Sequence, residues 1–290
     1  MSPKEKLTYL FLRALTAFLS RLPPHSAATV GSRVGSFAFH HLPRRKMEAR
    51  YHLRMAFPNR PETFYSNILK RVYTHFGQVF VDALRIERVN TRRVVSVNNR
   101  SCLDNALAKG KGVVLVSGHL GNWEMIPVWF AQNGYELHVV VRKQKNKGAD
   151  RFFLKLRQRI GTTPLYVKTP PRHLISILRK GGIVGLAIDQ DARRRGIFVD
   201  FFGIPTSTSK GPAVFHLKTQ SPIIMAVCSR NRNGTYQMKF DRIPTSVKDG
   251  DAVTAIIQRV TSHLENEIRK NPEQYFWYHR RWKTKPALSE

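Results

Sequence analysis

Cysteine is nearly absent, with only Cys102 and Cys228 in 290 residues. This excludes a disulfide framework or a cysteine-rich metal site and fits a reduced, cytosol-facing setting. Acidic residues are scarce too: 19 Asp and Glu stand against 49 Lys and Arg, a formal net charge of +30. Such a surface repels itself and calls for an anionic partner. Nucleic acid, acidic phospholipid head groups, phosphorylated glycolipid and an acidic carrier protein all qualify, and charge alone does not choose among them. No apolar run approaches the roughly 20 residues of a comfortable membrane span, which excludes a polytopic membrane protein. Internal repeats, low-complexity linkers and an A-x-A-like cleavage site are also missing, so a signal peptide is disfavoured.

What is present points to a packed α/β protein. Apolar residues make up 42% of the chain, enough for a globular core. Near the N-terminus, Leu7, Leu10, Phe11, Ala14, Leu15, Phe18, Leu19 and Leu22 recur at helical spacing, with Lys4, Lys6, Arg13 and Arg21 around them. This pattern suits an interfacial or partly inserted membrane anchor, or a helix that packs on the domain behind it. A second helix over Ser26 to His41 ends in the basic cluster His40 to Lys46, a solvated turn or a contact for anionic lipid. A long helix runs from Pro61 to about Arg85. From Val94 onward, short β-rich runs alternate with helical stretches, the pattern of a sheet covered on both faces. The expected fold class is therefore α/β, a mixed sheet flanked by helices behind an N-terminal amphipathic segment. Residues 1–45 form that segment and residues 46–290 the larger domain.

The stretch GVVLVSGHLGNWEMIPVWF, Gly112 to Phe130, carries the first candidate chemistry. The strand Val113 to Val116 ends at Ser117-Gly118, His119 follows, and Gly121-Asn122 lead into a helix with Glu124 in its first turn. A His-x4-acid spacing arises about 0.7 times by chance at this composition, so the bare pattern carries little. Its context carries more: a titratable base at the C-terminal edge of a strand, where open α/β sheets place their sites. There Glu124 can fix the imidazole tautomer while the other ring nitrogen takes a proton from a hydroxyl. A histidine satisfied within the core is the competing reading. Asp189 also ends a strand, Ile183 to Ile188, and opens onto the same sheet edge.

Three blocks, SGHLGNWE, DQDARRRGIFVDFFG (Asp189 to Gly203) and PEQYFWYHRRWKTKP (Pro272 to Pro286), together resemble the bacterial lipid A biosynthesis acyltransferases. These late lauroyl and myristoyl transferases lie within the lysophospholipid and glycerol-phosphate acyltransferase superfamily, and the resemblance covers essentially the whole chain. It implies a glycerol-phosphate acyltransferase-like fold and a catalytic pair at His119 and Glu124. It also implies a membrane-associating segment over 1–45, a catalytic domain over 46–290, and a location at the cytoplasmic face of the bacterial inner membrane. The implied reaction is transfer of a fatty acyl chain from an acyl carrier protein thioester, or acyl-CoA, to a hydroxyl of a phosphorylated lipid acceptor, a lipid A precursor first. No metal or other cofactor is required. His119 acts as general base. Backbone amides around Asn122 or a nearby cation serve as oxyanion donors. The resemblance further implies that Arg157 and Arg159 on the basic helix, Lys168 beyond it and Asp189 line the substrate, the alternative for the arginines being a solvated face, and that Arg280 and Arg281 belong to a structural or phosphate-binding element beside the site. Asp200 stands where many members carry proline, and Arg13 interrupts an anchor that is more apolar in many relatives.

Two other classes fit less of the sequence. A basic nucleic-acid-binding protein explains the charge, and the aromatic-basic YFWYHRRWK suits stacking, yet no nucleic-acid motif surrounds it. A hydrolase lacks a G-x-S-x-G elbow. His279 has no acidic residue at a comparable spacing.

Overall fold

Ser2 closes a capping box with Glu5 and starts helix α1 (Pro3–Leu19), as a serine three residues before a glutamate does. Prolines open the next two helices at positions where a missing N–H costs nothing: α2 (Pro24–His41) and α3 (Pro43–Ala56). The basic cluster thus continues into the first turn of a helix. A fourth helix, α4 (Glu62–Leu84), is the longest. The computed structural model describes residues 1–247 and 249–286.

The remaining elements alternate. A short helix, α5 (Thr91–Val94), runs into β1 (Val95–Asn98), followed by α6 (Arg100–Leu107), β2 (Val113–Ser117), α7 (Met125–Gln132) and β3 (Leu137–Val141). Next come α8 (Lys147–Arg159), β4 (Thr163–Tyr166), α9 (Pro171–Arg179) and β5 (Ile183–Ala187). A hairpin of β6 (Ile197–Phe201) and β7 (Ile204–Thr208) precedes α10 (Gly211–Thr219), β8 (Ile223–Arg230), β9 (Tyr236–Arg242) and α11 (Ala252–Lys270). Sequence periodicity predicts a helix over Thr208 to Thr219; Thr208 is instead the last residue of β7, and the helix begins at Gly211.

Seven strands form one sheet in the order β1-β9-β8-β2-β5-β3-β4. Strands β8, β2, β5, β3 and β4 are mutually parallel, while β9 runs against β8 and carries β1 with it. The sheet is mixed and flanked by helices. Val114 and Val116 of β2 enter one apolar cluster and Val113 and Leu115 the other. That two-sided burial is why β2 reads as an unbroken apolar run.

Helix α1 divides its apolar residues. Leu12 and Leu19 are buried, in a cluster with Val81, Leu84 and Phe152, whereas Leu7, Leu10, Phe11 and Phe18 face outward. Among the described residues no helix is long and apolar enough to cross a membrane.

Helices α2 and α4 meet backbone to backbone through glycines. A Cβ at Gly35 would stand 2.1 Å from the Tyr73 carbonyl oxygen, and one at Gly77 would stand 2.1 Å from that of Gly31. Backbone cannot step aside as a side-chain tip can. Gly35→Ala is expected to cost about 1–3 kcal/mol through overpacking, despite the roughly 1 kcal/mol alanine gains over glycine inside a helix. Urea unfolding checks this, and an unchanged midpoint would show that the helix pair separates freely.

Candidate active site

Register places the two key side chains. Ser117, the last residue of β2, lies beside Ala187, the last residue of β5, and the Ile188 amide donates to the Ser117 carbonyl at 3.0 Å. Two residues further along each strand stand His119 and Asp189, level with one another. The His119 backbone N–H donates to Asp189 Oδ2 at 2.8 Å, and His119 Nδ1 lies 2.8 Å from Asp189 Oδ1. A carboxylate gripping both the main chain and Nδ1 fixes the tautomer with its proton on Nδ1. Nε2 is left with its lone pair, on a side chain 21% exposed.

Small residues permit this approach. A Cβ on Gly118 would fall 2.7 Å from Leu264 and 3.3 Å from the Asp189 carboxyl carbon. Gly121 has φ +63°, and a Cβ there would lie 2.1 Å from the Cys228 carbonyl oxygen. The imidazole is flanked by Trp123, with ring centroids 4.8 Å apart, and by Phe276 at 6.0 Å. The terminal block secures the turn: Phe276 N–H donates to the His119 carbonyl at 3.0 Å, and Gly121 N–H to that of Gln274 at 2.9 Å.

The electrostatics follow from burial and from that pair. Burial alone would depress the His119 pKa, but the Asp189 charge and hydrogen bond outweigh it, with a smaller push from Glu124, and the imidazole becomes more basic than usual. Burial would raise Asp189; the His119 charge and its two hydrogen bonds overcome this and hold the carboxyl below its usual range, with Arg281 assisting. The Tyr275 hydroxyl beside it stays protonated, because burial and the neighbouring carboxylate both raise its pKa.

Glu124 is not the carboxylate on the imidazole. Its side chain pairs with Arg157 at 2.9 Å, both about one-fifth exposed. It stands just before α7 and makes no capping bond to it; the helix begins at Met125 because Gly121 is bridged to Cys228 and Trp123 and Glu124 form a turn, where a helical start is predicted. Asn122 is fully buried. Its backbone N–H is spent on the Cys228 carbonyl at 2.7 Å, and its side-chain nitrogen faces Asp82 and Tyr236. Neither group is available to an oxyanion. Arg281 is likewise internal at 2% exposure. Its guanidinium donates to the carbonyls of Gln190 and Ser207 and to Thr208 Oγ1, bracing the loop after Asp189 against β7 rather than facing a substrate. Arg280 is exposed and engaged by Glu48. Arg159 reaches Glu87 at 3.5 Å on the outer side of α8, so the structure gives it no link to His119. Lys168 is exposed in the turn after β4, on the same edge of the sheet as His119.

Two residues join the site beyond those the sequence singles out. Arg142 follows β3 directly, and its charge acts on His119; a cation ending a neighbouring parallel strand carries the same signal as His119 and Asp189. His279, set aside for want of a nearby acid in sequence, feels both Asp189 and His119, and burial drives its own pKa down to about 4. Elsewhere, Asp241, His263 and Glu267 cluster, but Lys239 Nζ lies 2.6 Å from Asp241 and 3.2 Å from Glu267 and supplies the positive charge there.

Residues 2–284 match the model of the bacterial lipid A biosynthesis acyltransferase family. The chain belongs to this family. The protein is accordingly an acyltransferase. It is 27% identical over 216 residues to a phosphatidylinositol mannoside acyltransferase of Mycobacterium tuberculosis, covering 71% of this chain and 67% of that one. A lipid A biosynthesis acyltransferase of Haemophilus influenzae is 27% identical over 297 residues, covering 99% of this chain and 93% of the relative. The lipid A biosynthesis palmitoleoyltransferase of Escherichia coli is 24% identical over 300 residues, covering 99% and 94%. The dyad of this acyltransferase, His119 with Asp189, thus joins two of the three blocks that carry the resemblance.

Proposed function

We propose that this acyltransferase moves a fatty acyl chain from a thioester, carried by acyl carrier protein, to a hydroxyl of a lipid A precursor, with His119 as general base. The observation that carries the reading is the imidazole whose Nδ1 is held by Asp189 at 2.8 Å. Nε2 takes the acceptor hydroxyl proton as the oxygen attacks the thioester carbonyl. The tetrahedral adduct collapses, the carbon–sulfur bond breaks, and the thiolate leaves with the proton from His119. An activated thioester needs no covalent enzyme intermediate. Asp189 keeps the tautomer and balances the imidazolium, Glu124 holds Arg157 at the site, and Arg142 offers positive charge to the oxyanion. The +30 charge suits both an acidic carrier protein and a phosphorylated acceptor. Similarity to the mycobacterial enzymes supports a second acceptor class, phosphoinositol-based glycolipids, and acyl-CoA is the alternative donor. Mass spectrometry of the products, with both donors and with lipid A precursor, phosphoinositol mannoside and lysophospholipid in competition, tests the assignment. Absence of transfer to every glycolipid would overturn it.

The same reading places the protein on the cytoplasmic face of the inner membrane. Leu10, Phe11 and Phe18 on α1, Phe37 on α2, and Leu42 and Met47 further along are exposed, with Arg44, Arg45 and Lys46 among them in sequence. Apolar side chains enter the headgroup boundary while cations meet anionic lipid. A Phe11→Ser, Phe18→Ser, Phe37→Ser variant is expected to lose about tenfold or more in affinity for anionic vesicles, since burying a phenylalanine contributes roughly 1.5–3 kcal/mol. Vesicle co-sedimentation measures this; undiminished binding would count against these helices as the docking face.

A further inference from the structure

Beside the His119 turn lies a cavity of about 280 Å3, between α4 and the turn joining β8 to β9. Its wall holds four cations, Lys70 and Arg71 from α4, Arg230 at the end of β8 and Arg232 in the turn that follows, together with His75 and Gln274. Among the described residues the one carboxylate in the lining, Glu273, is engaged by Arg71 at 2.8 Å. Among the described residues Lys70, Arg230 and Arg232 have no carboxylate partner. His75 adds no charge near neutrality, because burial lowers its pKa to about 4.

Arg230 is the most informative member. Gln274 holds its main chain from both sides, accepting from the Arg230 N–H and donating to its carbonyl, each at 2.9 Å. Its guanidinium lies 6.0 Å from the centroid of the Tyr236 ring. Nε is buried, yet it has no acceptor. Arg50 and Arg281 share an unpaired Nε, but Arg281 donates through its terminal nitrogens and Arg50 through Nη2, whereas among the described residues the Arg230 guanidinium has no acceptor at all, which leaves its terminal N–H donors for a group that arrives from outside.

The cavity also shares a wall with the reaction. Strand β8 is parallel to β2, so Arg230 and His119 lie on one edge of the sheet. His75 Nε2 lies 3.1 Å from the Gly121 carbonyl, and the Gln274 carbonyl accepts from the Gly121 N–H at 2.9 Å. Gly121 follows His119 by two residues. The volume falls below the roughly 300–1,000 Å3 of sites that enclose a whole drug-sized ligand, which suits one headgroup fragment. Guanidinium groups match phosphate by paired N–H donors, and a neighbouring lysine adds a point charge.

We propose that this groove is a phosphate subsite that holds the phosphate of the lipid acceptor while the acceptor hydroxyl reaches His119. The inference rests on the acceptor reading above. The thioester donor and bulk phospholipid also carry phosphate, and the test separates the three sources.

In the full-length protein, a Lys70→Glu, Arg232→Glu variant reverses two exposed charges without disturbing the packed Arg230. Its KM for the phosphorylated acceptor is expected to rise about tenfold or more, with the KM for the dephosphorylated acceptor and for the thioester unmoved. An equal rise for both acceptors, or a rise for the thioester alone, overturns the assignment. So does a loss confined to binding of anionic vesicles, which would make the groove a membrane contact. A second arm needs no acyl transfer: calorimetric titration of wild type with inorganic pyrophosphate should show binding that the variant lacks. Should the acyl-transfer reading fail, that arm still decides whether the groove takes phosphate, and wild type that binds no pyrophosphate would refute it.

Discussion

Replacing His119 with alanine is expected to lower thioester-dependent acylation by about 10²–10⁴-fold, the usual worth of a positioned general base, while the protein remains folded. The side chain is partly exposed, and the backbone N–H of residue 119 still donates to Asp189 Oδ2. The buried carboxylate therefore keeps one charge-assisted bond when it loses the imidazole. It loses its opposite charge as well, so some stability goes with the ring. His119→Gln, which can still present a side-chain donor to Asp189, guards against misreading an unfolding effect, and it too should be inactive. Rates from both variants, read beside circular dichroism, check the prediction. Full activity in well-folded His119→Ala protein would remove His119 from the mechanism.

Asp189→Asn is expected to be nearly as damaging and to move the pH profile in a defined direction. An asparagine offers one acceptor oxygen and one NH2 donor to two hydrogen donors, the backbone N–H and Nδ1–H, so the ring loses its enforced tautomer. The rate should fall by about 10²–10⁴-fold, in the range seen when a catalytic histidine loses its general-base role. The sign of the pH shift follows from the opposing causes at His119: burial lowers its pKa, and the Asp189 charge overcomes that and raises it. Without the charge, burial prevails and the imidazole deprotonates at lower pH. The acid limb of kcat/KM, which rises with pH as His119 loses its proton, should move to lower pH even as the maximum collapses. Glu124→Gln should move the limb in the same direction but less, because Glu124 contributes the smaller push and is already paired with Arg157. A larger shift in Glu124→Gln than in Asp189→Asn would reverse the roles of the two carboxylates.

The contrast between those carboxylates shows what the sequence makes legible. His119 and Asp189 each betray themselves locally, as polar residues at the ends of buried β-branched runs. Their contact does not, because it depends on the register of strands whose ends lie 70 residues apart. Glu124 is nearby in sequence and so attracts the role by proximity, but the left-handed Gly121 inserts a turn that carries it toward Arg157. The larger elements are readable wherever apolar periodicity is strong, as in α4 and β2. In α3 the buried positions Ala49, His52, Leu53 and Ala56 do keep helical spacing, but two of the four are alanines and one is a histidine, so the stripe is faint among the basic residues around it. The β6–β7 ribbon has strands as long as β2 and hides for another reason: the exposed Phe198 blurs the alternation of β6, and β7 buries Thr206, Ser207 and Thr208 in place of apolar residues. Arg281 runs against the strongest prior of all, that arginine stays outside; only the carbonyls around it explain its burial.

The bonds that tie Phe276 and Gln274 to the His119–Gly121 turn also set an order of events. Both partners lie beyond the last strand, so a chain emerging from the ribosome completes β2 and β5, and can pair them, before the segment that secures His119 exists. Acylating power should therefore appear late in synthesis, as a step coupled to arrival of residues 272–282 rather than to formation of the sheet. Until that segment docks, a chain with its sheet already paired would hold His119 and Asp189 without the bonds that secure the turn between them.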